Sequence, residues 1–118
     1  MSTILNKQAY QFAGAHIKNG QAVADDRDAW SESEPSTSQE NEFIEANGWD
    51  EYAKWHLGID DEASEQTKAR YKFPYGDFQR VHRSGLLAAE VRAGQRKYED
   101  IEEAAIKLRA LIDRQSPT

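Results

Sequence analysis

The sequence contains few of the large aliphatic and phenylalanine side chains from which most protein cores are built. Leu, Ile, Val and Phe together account for 20 of the 118 residues, below the roughly 20% that is typical of chains that fold unaided. Sixteen alanines, five tyrosines and three tryptophans bring the apolar fraction to 38%. We therefore expect a thin core in which aromatic rings and alanine-faced helices supply the missing aliphatic volume.

The length and the composition restrict the chain to one small domain, which we assign to residues 1–118. The absence of cysteine excludes disulfides, thiolate metal sites and cysteine nucleophiles. No apolar run approaches the roughly 18 residues of a membrane helix, and no signal-peptide pattern opens the chain. These features predict a cytoplasmic protein that makes no membrane contact, and no motif predicts a cofactor.

The formal net charge of −6 is unevenly distributed along the chain. Residues 1–66 hold 14 acidic and 4 basic side chains, whereas residues 67–118 hold 7 acidic and 11 basic ones. The two parts therefore carry balances of −10 and +4. Such a division predicts either attraction between the two parts or a basic surface that steers an external partner.

Helical spacing of apolar residues predicts two helices in the first half of the chain. The first covers residues 4–18, so that residues 1–30 form an N-terminal helix and an acidic segment. Residues 31–41 contain one proline and otherwise only polar side chains, which predicts a mobile loop. A second helical stretch covers about residues 41–57, with a break at Asn47-Gly48.

The spacing of apolar residues in the last third of the chain predicts an antiparallel pair of helices. Apolar side chains recur at helical spacing in residues 81–95 and again in residues 100–113, and the link between the two stretches is short. Ahead of them, Pro74 and a Gly-Asp turn signal interrupt the aromatic stretch 71–78, which predicts a short extended arm or strand. The predicted fold class is all-α or nearly so, with a helical core over residues 42–114.

Three blocks of the sequence resemble a family of small bacterial proteins of unknown function. The blocks are YAKWHLGID (52–60), YKFPYGDFQRVHRSGLLAAEVRAGQ (71–95) and KYEDIEEAAIKL (97–108). The resemblance covers residues 52–113, and it implies a shape without implying an activity. More distantly, a spaced pattern is similar to a short helical module of some phage proteins, sometimes found beside a head-maturation protease. The pattern falls on Pro74, Gly85, Leu86, Ala89, Arg92 and Gln95. The catalytic region of that protease has no counterpart in this chain, so the resemblance does not imply proteolysis.

A candidate polar cluster consists of His56, His82 and Asp77. Imidazole titrates near neutral pH, and histidine with carboxylates can form a metal site or an acid–base pair. No spacing in the chain matches a recognised ligand motif, so we favour packing for His56 and helix capping for His82. Ser84 lacks the flanking glycines and the context of a nucleophile elbow, and we expect it to bond the backbone of its helix. We therefore predict no catalytic residue and no metal ligand.

A candidate binding face lies in the basic part of the chain. It consists of Arg80, Arg83, Arg92, Arg96, Tyr71 and Tyr75. Basic side chains alternate with aromatic ones over residues 68–83, and this mixture suits a single-stranded nucleic acid, whose phosphates pair with cations and whose bases stack on rings. The negative net charge and the pI near 5.0 count against that partner. A thin core would also need the same aromatic rings for packing, and buried rings cannot stack on bases.

The three tryptophans and Tyr52 divide into two groups. Trp49, Tyr52 and Trp55 follow helical spacing, and in a chain with few aliphatic residues we expect them in the core. Trp30 lies between polar residues, and we expect it to be exposed or to contact a partner.

The function predicted from the sequence is a non-catalytic interaction or adaptor module whose partner is a protein. The first alternative is single-stranded nucleic-acid binding through the stretch 68–83. The second is an enzyme or metal site that uses His56, His82 and Asp77.

Overall fold

The computed structural model describes residues 3–115, which form six α-helices and five β-strands. In chain order the elements are β1 (Thr3–Leu5), α1 (Lys7–Lys18), β2 (Ala22–Val23), α2 (Trp30–Ser33), α3 (Thr37–Asn47), α4 (Trp49–Ala53), β3 (His56–Asp60), β4 (Tyr71–Pro74), β5 (Val81–His82), α5 (Arg83–Gln95) and α6 (Glu99–Gln115). The predicted all-α class is therefore wrong, and the predicted helical core over residues 42–114 contains three of the strands.

The strands form a three-stranded antiparallel sheet and a separate parallel pair. The sheet has the order β1-β3-β4, with Leu5 of β1 opposite Gly58 and Lys72 of β4 opposite the same glycine. In the parallel pair, β2 lies beside β5, with Val23 opposite His82. These strands have between two and five residues, and most of their partners lie far along the chain. Local periodicity carries no signal for such pairing.

The first predicted helix, residues 4–18, divides into a strand and a helix at Asn6. The Asn6 side chain accepts a hydrogen bond from the backbone N–H of Ala9 and thereby caps α1. Its amide nitrogen donates to the backbone oxygens of Ala53 and His56 at 2.9 and 3.1 Å. One buried asparagine therefore fixes the start of α1 against the start of β3.

The polar stretch 31–41, predicted to be a mobile loop, instead contains the end of α2 and the start of α3. Ser36 begins α3 with a capping box, because its hydroxyl accepts from the backbone of Gln39 and the Gln39 side chain accepts from the backbone of Ser36. No residue of α3 is fully buried. The capping residues provide this helix with a start signal that its apolar pattern lacks.

The helical stretch predicted over residues 41–57 breaks at Gly48, as expected. Gly48 has a φ of +88°, which favours glycine, and it separates α3 from α4. The prediction is wrong beyond Ala53, because the chain turns and enters β3 at His56.

The C-terminal helix pair is confirmed. Ion pairs join Arg83 to Asp113 at 2.7 Å and Arg109 to Glu90 at 3.1 Å, so the start of α5 lies beside the end of α6. Both helices contribute small and aliphatic side chains to the core, as α1 does. The buried core is Ala9, Ala13, Ile17, Trp55, Leu57, Phe73, Tyr75, Val81, Leu86, Ala89, Ala93, Ile101, Ala105, Leu108 and Ile112.

The tryptophans are placed partly as predicted. Tyr52 and Trp55 are buried, whereas Trp49 is half-buried. Trp30, predicted to be exposed or to contact a partner, is buried with 5% of its surface accessible. The polar residues on either side of it, Asp28 and Ser31, are exposed, whereas its ring lies 6.1 Å from that of His82, the residue before α5. Nothing in the sequence around Trp30 indicates this contact with a distant residue.

Candidate functional site

A basic groove lies between β4, the end of α5 and the turn that leads into α6. Its volume is about 440 Å³. The lining residues are Thr3, Asp60, Lys72, Phe73, Arg92, Gln95, Arg96 and Tyr98. We use the name basic groove for this set of residues throughout.

Three cations and one carboxylate line the basic groove. Arg92 and Arg96 are four residues apart at the end of α5, so they project from the same side of the helix. Lys72 reaches the groove from β4. Within residues 3–115, no acidic side chain forms an ion pair with any of these three cations. With three cations against the one carboxylate of Asp60, the lining of the groove carries an excess of positive charge.

One residue that lines the basic groove and one residue next to it in the chain have unusual backbone geometry. Phe73 has a φ of +62° and Lys97, beside Arg96, has a φ of +61°. Bulky side chains rarely adopt this conformation, and it costs of order 1–3 kcal/mol per residue. Packing holds Phe73 in place, because its ring meets that of Tyr98 edge-on with centroids 6.0 Å apart. The surrounding fold therefore fixes the shape of the wall.

The structure divides the predicted binding face. Arg92 and Arg96 lie in the basic groove, whereas Arg83, at the other end of α5, binds Asp113. Arg80 is exposed in the turn before β5. It does not line the groove, and it forms no ion pair among the described residues.

The two tyrosines of the predicted binding face are engaged within the fold. Tyr75 is fully buried, and its hydroxyl donates to the backbone oxygen of Lys54 at 2.6 Å. Tyr71 is half-buried, and its hydroxyl donates to the backbone oxygen of Glu65 at 2.7 Å. Phe73 is buried as well, and Phe78 stacks on Phe43 with centroids 4.3 Å apart. The aromatic arm therefore belongs to the packed interior and its margin.

Sequence analysis did not assign Lys72 to the binding face. Its position in the basic stretch 68–83 was visible, but its placement beside Arg92 and Arg96 depends on β4 lying next to α5. Lys72 and Arg92 are 20 positions apart in the sequence, and the residues between β4 and α5 show no regular pattern from which the contact could be predicted.

The candidate polar cluster is only partly assembled. His82 and Asp77 meet, with Nε2 of the ring 2.8 Å from a carboxylate oxygen. A second carboxylate, that of Asp25, lies 2.8 Å from Nδ1 of the same ring. Sequence analysis missed Asp25, which is 57 residues away and reaches His82 through the pairing of β2 with β5. We call Asp25, Asp77 and His82 the His82 cluster.

Additional donors hold both carboxylates of the His82 cluster. Asp25 accepts from the backbone N–H and the hydroxyl of Ser84, at 2.8 and 3.0 Å. Asp77 accepts from the backbone N–H groups of Gln79 and Arg80, at 2.9 and 2.7 Å. His82 thus does not cap α5 with its side chain. It joins two carboxylates that other donors already orient.

The His82 cluster shifts the pKa of each of its members. Burial opposes the charged form of His82, but the hydrogen bonds to Asp25 and Asp77 outweigh it and raise the pKa of the ring above 6.5. Burial also opposes ionisation of the two carboxyls. The hydrogen bonds that they accept from His82 and from the backbone outweigh this effect, so the pKa of each lies below 3.8. The favoured state is an imidazolium between two carboxylates.

His56 lies apart from the His82 cluster. It is 2% exposed, and Nδ1 lies 2.9 Å from the backbone oxygen of Tyr52, to which it donates as the neutral ring. Its ring also contacts that of Tyr52, with centroids 4.5 Å apart. Burial lowers the pKa of His56 to about 4, against a smaller opposing effect of the hydrogen bond. His56 is therefore a neutral core residue at physiological pH.

The arrangement offers little that a reaction could use. Both ring nitrogens of His82 face carboxylates, so neither is directed at a substrate or a metal. Ser84 is fully buried, and its hydroxyl donates to Asp25. A second acidic group, Asp60, Asp61 and Glu62, places its oxygens within 4.8 Å of one another at the surface. Exposed carboxylates commonly cluster in this way without a cation.

Comparison of the chain with protein-family models, with curated proteins and with solved structures finds no match. The resemblance of residues 52–113 to small bacterial proteins therefore stays a prediction. None of the helices within residues 3–115 is long and apolar enough to cross a membrane.

Proposed function

We propose that this chain is a non-catalytic protein-interaction module whose basic groove binds an acidic segment of a partner protein. The observation that carries the proposal is the convergence of Lys72, Arg92 and Arg96 on one groove, without an ion pair to any described acidic residue. The three cations outnumber the one carboxylate of the groove, and none of them has to leave a described ion pair to bind an anionic segment. The complementary partner surface is therefore negatively charged.

The fixed geometry of the basic groove supports a binding role. Backbone strain persists only where the surrounding packing imposes it, and it is concentrated at functional sites in proteins. Phe73 shows such strain in the lining of the groove, and Lys97 shows it in the turn beside the groove. A preformed groove lowers the entropic cost of binding, because fewer side chains and backbone angles must become ordered.

The placement of the aromatic rings favours a protein partner over a single-stranded nucleic acid. Binding of single strands uses exposed rings on which bases stack. Of the four rings in the arm, Phe73 and Tyr75 are buried, and the hydroxyl of Tyr71 is engaged by the backbone. The net charge of −6 also repels a polyanion at long range. A short acidic segment that contacts only the groove experiences less of this repulsion.

The His82 cluster gives no comparable support to an enzyme. Both ring nitrogens of His82 are hydrogen-bonded to carboxylates, and the neighbouring Ser84 is buried. A cytoplasmic location is part of the same proposal, and the cysteine-free composition supports it.

Charge reversal in the basic groove tests the proposal. We expect the R92E/R96E variant to bind a short fluorescent Glu/Asp-rich peptide at least about tenfold more weakly than the wild type, as measured by anisotropy. Each exposed ion pair contributes about 0–1 kcal/mol, and reversal replaces attraction with repulsion. Two attractive contacts are lost and two repulsive ones replace them, so at about 0.5 kcal/mol each the combined loss is about 2 kcal/mol, above the roughly 1.4 kcal/mol that corresponds to tenfold.

The matched control is K107E/R114E, which reverses two exposed cations of α6 outside the groove. It produces the same change in net charge, and we expect the peptide to bind within about twofold of the wild type. Equal weakening by the two variants would mean that only net charge matters, which would overturn the proposal. A single-stranded oligonucleotide that binds more tightly than the peptide in the same buffer would overturn it in favour of a nucleic-acid partner.

A further inference from the structure

We propose that the His82 cluster is a pH-sensitive latch, which holds residues 22–30 against the start of α5 and lets them detach when His82 loses its proton. This inference is independent of the basic groove. It rests on the geometry of two carboxylates around one ring.

The three members of the latch come from three separate segments. Asp25 follows β2, Asp77 lies in the turn between β4 and β5, and His82 is the last residue of β5 before α5. The ring therefore connects the N-terminal segment to the turn and to the helix. With 6% of His82 exposed, this connection is shielded from solvent.

The two hydrogen bonds of the ring require its protonated form. Both ring nitrogens lie 2.8 Å from a carboxylate oxygen. An imidazolium has two N–H donors, whereas neutral imidazole has one. After deprotonation, one nitrogen lone pair faces a carboxylate at hydrogen-bond distance. That contact is repulsive, so one side of the latch must open.

Asp25 belongs to the segment with the weaker attachment. Asp77 lies in a turn that is fastened by its own backbone hydrogen bonds to Arg80 and by the bridge between Gly76 and Val81. The Asp25 segment depends on the two-residue strand β2, on the hydrogen bonds that the Asp25 carboxylate accepts from Ser84, and on contacts with α5. The predicted opening therefore moves residues 22–30 and leaves the turn at Asp77 in place.

The other charged groups nearby do not replace the missing proton. Arg83 of α5 is occupied by Asp113 of α6 at 2.7 Å, and its contact with the backbone oxygen of Asp25 is long, at 3.5 Å. Asp26, Arg27 and Asp28, in the segment itself, are exposed, and Arg80 in the turn is exposed as well. Within residues 3–115, the carboxylates bonded to the His82 ring are those of Asp25 and Asp77.

The direction of the pH effect follows from the shifted pKa values. The pKa of His82 is raised above 6.5, so the stabilisation by the latch is complete below pH 6.5 and is lost as the pH rises through the higher folded value. The two aspartates have a pKa below 3.8, so their contribution is lost only as the pH falls below that value. The latch is closed below pH 6.5 and opens as the pH rises through the raised pKa of His82.

Trp30 provides a reporter within the segment. Its ring lies 6.1 Å from that of His82, and its indole Nε1 is buried with no hydrogen-bond partner among the described residues. Loss of the latch uncovers this nitrogen and relieves the cost of burying an unpaired donor. The environment of the indole N–H therefore reports whether the segment is attached.

A pH titration followed by NMR tests the latch in the wild-type protein. We expect the His82 ring to titrate with a midpoint above 6.5. The Trp30 indole N–H and the backbone amides of residues 25–30 are expected to shift with the same midpoint. A His82 midpoint at or below 6.5, or amides of residues 25–30 that do not follow it, would overturn the proposal.

An isosteric variant separates the latch from general alkaline effects. In D77N, the amide nitrogen can donate to Nε2 of a neutral His82 while the remaining oxygen still accepts from the backbone of Gln79 and Arg80. We expect the His82 midpoint to fall by at least about one pH unit, and the segment to stay attached at alkaline pH. E103Q removes an exposed carboxylate of α6 outside the latch and should retain the wild-type midpoint. An unchanged midpoint in D77N contradicts the latch, and the wild-type titration decides alone should D77N not fold.

Discussion

Replacing Gly85 with alanine is expected to lower the free energy of unfolding by about 3 kcal/mol, although alanine is the better helix former. Gly85 lies in the first turns of α5, where the helix passes directly over Tyr75. A Cβ atom at this position would lie 2.6 Å from the backbone oxygen of Tyr75 and 2.8 Å from its Cα. Backbone atoms in a packed core cannot move aside cheaply. Urea unfolding followed by tryptophan fluorescence measures the loss.

The matched control is G14A, the same substitution within α1. A Cβ at Gly14 would have its nearest neighbour, Leu108, at 4.0 Å, an ordinary contact distance. Helix propensity should therefore dominate, and G14A is expected to raise stability by about 1 kcal/mol. Equal effects of the two substitutions would show that α5 does not pack against the Tyr75 backbone as described.

Acidification from pH 6.5 to pH 4 is expected to destabilise the protein by roughly 3 kcal/mol through His56 alone. The pKa of this buried ring is lowered to about 4, whereas the unfolded chain has the ordinary value of 6.5. The unfolded state therefore gains a proton over this range before the folded state does. Stability is present above pH 6.5 and is lost as the pH falls toward the folded value.

The H56N variant tests the origin of this pH dependence. Asparagine preserves a donor toward the backbone oxygen of Tyr52 but does not titrate. We expect lower stability at pH 6.5, because the smaller side chain leaves a cavity, and a clearly shallower decline between pH 6.5 and 4. Urea unfolding at several pH values measures both. A decline as steep as that of the wild type would assign the acid sensitivity to other groups.

Elements with local patterns were predictable from the sequence. The helices of the C-terminal pair repeat apolar side chains every three or four residues, so each could be recognised within its own window. The break at Gly48 was predictable for the same reason, since an Asn-Gly pair is a local signal. The Ser36–Gln39 capping box is also a local signal, but the prediction of a mobile loop over residues 31–41 used only their lack of apolar side chains.

The sheet was not predictable from such patterns. Its central strand, β3, begins at His56 within an apparent helical repeat, and it becomes a strand because β1 and β4 bond to its two edges. Gly58 illustrates the dependence on distant residues, since a Cβ there would lie 2.7 Å from the Phe73 ring. Tertiary contacts, rather than the propensity of the segment, determine its conformation.

The candidate sites follow the same division. Arg92 and Arg96 are neighbours on one helix face and were identified together, whereas Lys72 joins them only through the contact of β4 with α5. Asp25 reaches His82 only through the pairing of β2 with β5. Side chains that meet across the fold carry no signature in a single sequence.

A peptide titration followed by 1H–15N NMR spectra of the wild-type protein measures directly whether the basic groove binds an acidic segment. With the Glu/Asp-rich peptide, we predict saturable shifts of the amides that line the groove. These amides belong to Lys72, Phe73, Arg92, Gln95, Arg96 and Tyr98. The absence of saturable shifts, or shifts centred on Arg80 and Arg83 at the other end of α5, would contradict the account.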